Sequence, residues 1–155
     1  MNFNNFTIKA QDVVQKAVQL TRANGNQAVE PEHLLKALML EGDAVVRFIF
    51  HKLDINPANV ERPLDAALQK LPRVSGGEPY LGNDGSKVLE KANDIASSGG
   101  DQYVTVEAML MALFDVKSTV SAILKDAGRT HDDLKAAIDE LRKGKNATSQ
   151  SAEEQ

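Results

Sequence analysis

Apolar residues recur every three or four positions along most of the chain, the spacing that puts them on one face of an α-helix. The first such stripe, Ala10, Val13, Val14, Ala17 and Thr21, follows Thr7, whose hydroxyl is placed to cap a helix, and stops at Gly25. Glu30-Pro31-Glu32 announces a second helix, because proline suits a first turn whose N–H groups have no partner within the helix. Its stripe is Leu34, Leu35 and Leu38, and Gly42 is the stop. A third helix carries Val45, Val46, Phe48, Ile49 and Leu53. The fourth opens at Asn56-Pro57 and carries Val60, Leu64, Ala67, Leu68 and Leu71, with Pro63 expected to delete one backbone hydrogen bond and bend or delay it. Residues 72–85 (PRVSGGEPYLGNDG) break the pattern and read as a linker.

The pattern then repeats. Val13, Val14, Ala17 and Leu20 fall on Val88, Leu89, Ala92 and Ile95, 75 residues on. At the same spacing Val29, Glu32, Leu35 and Leu38 fall on Val104, Glu107, Leu110 and Leu113. After one deleted residue, Val46, Ile49, Val60 and Leu64 meet Val120, Ile123, Leu134 and Ile138. So many matches in register predict a duplicated four-helix unit with both copies sharing one core. The second copy has Gly99-Gly100 after its first helix, Thr105 as a cap, a short helix over about 118–127, and a last helix opened by a Thr130–Asp133 capping box. Strand signals are nearly absent. The predicted fold is all-α, an eight-helix double repeat with pseudo-twofold symmetry. The domain spans 1–144, with repeat one about 6–71 and repeat two about 81–143. Residues 145–155 lack periodicity and are expected to form a flexible tail or linker.

Charge narrows the function. The formal net charge is −4 over 155 residues, and the only basic cluster is Arg142-Lys143-Gly144-Lys145. Nucleic-acid binding requires a concentrated basic face, so neither RNA nor DNA is an expected partner. No apolar run approaches the ~18 residues of a membrane span, and the first residues do not form a signal peptide. The expected location is the cytoplasm, with no membrane partner. Without cysteine there is no disulfide or thiolate chemistry.

Catalytic constellations are missing. His33, His51 and His131 fall in separate elements with no metal-ligand spacing. There is no G-x-S-x-G elbow and no G-x-x-x-x-G-K-[ST] loop for ATP phosphates. Asp132-Asp133 sits at a helix start, where the macrodipole accounts for it. The expectation is a binding module rather than an enzyme, with no catalytic residue, metal or cofactor of its own.

Several strings carry a family resemblance when taken in order: Phe6-Thr7, Glu30-Pro31-Glu32-His33-Leu34-Leu35-x-Ala37-Leu38, and the echo Asp101-x-Tyr103-Val104-Thr105-x-Glu107-x-Met109-Leu110-x-Ala112-Leu113. Over residues 1–144 the chain resembles the N-terminal domain of the Clp ATPase family of AAA+ unfoldases. Ala66-Ala67-Leu68-Gln69-Lys70-Leu71-Pro72-Arg73-Val74 and Ile123-Leu124-Lys125-x-Ala127-Gly128 look most like its disaggregase branch, ClpB. The resemblance implies a domain that captures unfolded or aggregated polypeptide through a shallow hydrophobic groove. It also implies a homohexameric ATPase parent that works with the DnaK chaperone system, the ATP being held by modules absent here, while the isolated domain is monomeric. Carried over by position, the substrate-binding residues are Thr7, Lys91, Ile95, Asp101, Glu107 and Ala108. Lys91 and Ala108 stand where the family often has larger apolar groups, which makes the wall less greasy, although a lysine stem still offers apolar surface. Two alternatives stay open. One is an adaptor- or phosphoarginine-binding domain of the protease-partnered branches, for which Glu32 and Glu107 are the duplicated acids. The other is a structural or assembly module.

Overall fold

The computed structural model describes residues 2–143 and 146–154. Among these described residues eight α-helices form in two sets of four: α1 (Ile8–Ala23), α2 (Pro31–Glu41), α3 (Asp43–Lys52) and α4 (Pro57–Gln69), then α5 (Asn83–Ser98), α6 (Val106–Asp115), α7 (Thr119–Asp126) and α8 (His131–Arg142). The local signals work as read. Thr7, Asn56, Thr105 and Thr130 cap α1, α4, α6 and α8 by accepting from Ala10, Ala58, Ala108 and Asp133 amides. Asp133 answers by accepting from the Thr130 amide at 2.9 Å, and that bond, with the Thr130 hydroxyl, holds its carboxyl below the ordinary range. Pro63 sits inside α4 without ending it.

The two copies are interlocked. Phe6, just before α1, bridges in parallel to Val104, just before α6. Leu81, just before α5, pairs in parallel with Val29, just before α2. These pairings are mates under the 75-residue repeat, so each copy's lead-in segment is held by the other copy. Strands β1 (Ala28–Val29) and β2 (Tyr80–Leu81) are two residues each and do not change the all-α class. Around this crossing the buried helices α2 and α6 pack together, α3 meets α8 and α4 meets α7. Leu34, Leu35, Leu38, Met109, Leu110 and Leu113 lie in the resulting single core.

The linker is shorter than the composition suggests. Leu81 is already paired, and α5 starts at Asn83 rather than after residue 85. Gly85, which looks like a breaker, lies in the first turn of α5 because a Cβ there would come within 2.3 Å of the Val29 carbonyl oxygen. The glycine allows the helix start to press on the crossing strand.

A buried polar network pins the first copy. The Glu30 amide donates to His33 Nδ1 at 3.0 Å, so the ring proton must sit on Nε2, 2.8 Å from Asn26 Oδ1. Asn26 Nδ2 then donates to the Pro72 carbonyl at 2.8 Å, tying the start of α2 to the end of α4. His33 is fully buried, and desolvation lowers its pKa to about 4.

Two predictions follow from this packing. Gly85→Ala is expected to lower unfolding free energy in urea by about 1–3 kcal/mol, the usual cost of overpacking, and an unchanged midpoint would contradict the close approach. The unfolded state binds a proton at His33 near the ordinary histidine value of 6.5, whereas the folded state refuses it until about pH 4. This contribution is therefore complete above pH 6.5 and lost as pH falls towards 4, at about 1.4 kcal/mol per pH unit. Urea titrations of wild type and His33→Gln at several pH values should show that slope only in the wild type.

Candidate functional site

A groove of about 510 Å³ runs along the second copy, with α6 as its floor and α5 and α8 as its walls. Lys91, Asp94 and Ile95 come from α5, Glu107, Ala108 and Met111 from α6, and Lys135, Ile138 and Arg142 from α8. Helical spacing explains the arrangement. Lys91 and Ile95 are four apart on one face of α5, and Lys135, Ile138 and Arg142 follow the same rule on α8. Ala108 and Met111 are almost closed over, so the accessible apolar surface belongs mainly to the half-buried Ile95 and Ile138. One end is bounded by His131, whose Nδ1 lies 2.8 Å from Asp115 Oδ1.

The other end is built on charge. Arg142 donates through Nη1 to Asp101 at 2.5 Å, through Nε to Glu107 at 2.9 Å and through Nη2 to the Thr105 hydroxyl oxygen at 2.8 Å. The Asp101 and Glu107 side chains are only 4% and 6% exposed. Burial alone works against the guanidinium charge, but Glu107 and Asp101 more than offset it and raise the Arg142 pKa above its ordinary value. Asp101 Oδ1 accepts from the Ala147 amide at 2.9 Å, linking the groove to the residues beyond α8.

Five of the six residues expected from sequence, Lys91, Ile95, Asp101, Glu107 and Ala108, line this one groove. Thr7 does not. It is fully buried at the start of α1, where its oxygen accepts from Ala10 and its hydroxyl proton goes to Glu153. Sequence reasoning missed Met111, Ile138 and Arg142. In the sequence Ile138 stands out only as the repeat mate of Leu64 and Arg142 only as part of a basic cluster, and the one signal for a shared face is the helical spacing of Lys135, Ile138 and Arg142. Among the described residues no group of three His, Cys, Asp or Glu side chains could hold a metal.

The first copy is closed at the equivalent place. Lys36 stands where Met111 does and reaches Asp65 at 2.9 Å and Glu61 at 3.6 Å, bridging α2 to α4. Leu64, the mate of Ile138, is fully buried.

The duplicated, interlocked four-helix unit defines a Clp-type double-repeat domain. The Clp repeat (R) N-terminal domain family matches residues 5–127. The chain belongs to that family. It is similar to the chaperone protein ClpB of Bacteroides thetaiotaomicron, 52% identical over 99% of this chain. It is also similar to that of Porphyromonas gingivalis, 49% identical over the whole chain. It spans 18% of the length of each. Among solved structures, the Hsp104 N-terminal domain from Candida albicans superposes with a TM-score of 0.83 at 26% identity, covering 96% of this chain and 99% of that one.

Removing the guanidinium leaves two buried carboxylates without their cation. Arg142→Met is expected to cost about 3–5 kcal/mol in urea unfolding, and a loss below 1 kcal/mol would show that the cluster does not hold the groove end together.

Proposed function

We propose that this domain captures stretched-out, unfolded or aggregated polypeptide in the α5–α6–α8 groove, as the client-binding part of a ClpB-type disaggregase. The observation that carries the reading is the half-buried pair Ile95 and Ile138, one on each wall of the groove over the apolar floor of Ala108 and Met111, with Lys91 and Lys135 beside them. An unfolded chain differs from a folded one in exposing apolar side chains, and each that is covered contributes about 1.5–3 kcal/mol before ordering costs. Ordering removes several kcal/mol of that gain, so affinity is roughly micromolar or weaker. Weak capture suits a domain that has to release its client. The rim alternates Lys91, Asp94, Lys135 and Asp139, a mixed-charge border without sequence preference.

The matched relatives are about five times longer than this chain, at 18% coverage, and the activity of a whole machine belongs to the same proposal. It comprises a homohexameric, ATP-driven parent that works with the DnaK chaperone system in the cytoplasm. The domain contributes capture and no ATP chemistry. Among the described residues no helix is long and apolar enough to cross a membrane. The phosphoarginine alternative asks Glu107 to receive a guanidinium, and Glu107 already holds that of Arg142, so an incoming ligand has to displace it.

NMR titration with a permanently unfolded polypeptide is expected to shift Lys91, Ile95, Met111 and Ile138, and Ile95→Asp to weaken binding by about tenfold or more. Shifts confined to the first copy, or no binding at millimolar client, would refute capture by this groove. Free phosphoarginine is expected to leave the spectrum unchanged.

A further inference from the structure

Of residues 145–155, expected from sequence to form a flexible tail, 145 and 155 lie outside the described residues, and 146–154 lie against the domain. The Ala147 side of this segment is held first. Its amide donates to Asp101, its carbonyl accepts from the Gln102 and Tyr103 amides at 2.9 and 3.2 Å, and its methyl is 3% exposed. Further on, the Ile8 amide donates to the Gln150 carbonyl at 2.7 Å, and the Gln150 side chain donates to the Asn4 carbonyl at 2.9 Å. The segment ends in a short 3-10 turn over Ala152–Glu154. There Glu153 Oε2 accepts from the Val106 amide at 2.8 Å and from the Thr7 hydroxyl at 2.9 Å.

The repeat shows why a carboxylate belongs at this place and not at its mate. Under the 75-residue spacing, Thr7 corresponds to Gly82 and Val106 to Pro31. Glycine has no side-chain donor and proline has no N–H. Both donors that hold Glu153 are therefore absent from the first copy. There the neighbouring carboxylate comes from inside the domain, because Glu30 Oε1 would lie 2.2 Å from a Cβ built at Gly82. The second copy has a threonine cap, Thr105, where the first has Glu30, and receives its carboxylate from beyond α8.

The geometry points to a carboxylate receptor, formed by the Thr7 hydroxyl and the Val106 amide, whose resident ligand is Glu153, so that residues 146–154 form a releasable strap latched onto the domain. The docked state carries its own cost. Glu153 Oε1 and Glu107 Oε1 are both buried without a hydrogen-bond partner among the described residues, and an unpaired buried acceptor disfavours burial. A latch with that internal opposition opens without melting the helices. Thr7 then acts on the strap rather than on a client, and Asp101 divides its two oxygens between Arg142 at the groove end and Ala147 at the start of the strap. The inference does not depend on what occupies the groove.

Nitrogen-15 relaxation on the 155-residue chain, without client, tests it. Residues 147–153 are expected to show order parameters near those of the helices, about 0.85, and Glu153→Ala to drop residues 149–153 below about 0.6 while α6 and α8 stay unchanged. Thr7→Val is expected to free the same residues, whereas Thr7→Ser, which keeps the hydroxyl, is not. A strap already mobile in the unmodified chain, or one that stays ordered in Glu153→Ala, overturns the proposal. Were Thr7→Val to unfold, Glu153→Ala decides alone, since its side chain lies on the strap itself.

Discussion

The structure depends on a reciprocal crossing. Phe6 is held by Val104 of the other copy, and Leu81 by Val29 of the other copy. A four-helix unit of this size presents too much apolar surface to stand alone with α2 or α6 nearly enclosed, so each copy completes its core with the other. The crossing also sets register. With the residues before α1 and α5 pinned by backbone hydrogen bonds, α2 and α6 have one way to meet in the centre, and the long leucines on both interdigitate there. Gly85 is the local consequence: the start of α5 sits against the Val29 carbonyl, and only a residue without a side chain fits.

Symmetry of backbone does not carry through to symmetry of surface. Once the halves are interlocked, a few substitutions decide what each copy shows to solvent. Lys36 and its two acids close the first copy's cleft, whereas Met111 leaves the second open. Leu68 and Arg142 are mates in the repeat, and that one change converts a hydrophobic seam into a buried charge cluster. The duplication supplied two rigid scaffolds, of which one retains a groove and the other contributes packing through the His33–Asn26 network.

Most of the architecture was legible because helices announce themselves locally. Caps at Thr7, Asn56, Thr105 and Thr130, proline at first turns and glycine at stops need only a few neighbouring residues to be read. The repeat then supplied long-range information that periodicity lacks, since matched apolar positions imply matched packing. What stayed hidden depends on contacts between distant segments. The linker composition said nothing about Leu81 pairing with Val29, and Gly85 looked like a breaker because its neighbour lies more than fifty residues away in sequence. For the candidate site, the resemblance brought Lys91, Ile95, Asp101, Glu107 and Ala108 to one surface, but it could not distinguish residues that line a groove from a residue, Thr7, that holds the backbone behind it.

Arg142 shows why such a distinction matters. A guanidinium held by two nearly buried carboxylates is weak evidence of stability by itself, because desolvating three charges costs much of what their attraction returns. Its value is geometric. The planar fork reaches Asp101, Glu107 and Thr105 together only if the end of α8, the loop after α5 and the start of α6 hold one relative position. That position spaces the groove walls, placing Ile138 opposite Ile95. A substitution at Asp101 or Glu107 therefore disturbs the shape of the apolar groove before it removes any contact to a bound chain. Under the proposed capture role, a loss of binding after such a change would report on the frame of the site, and direct contacts to a client would fall to Lys91, Ile95 and Ile138.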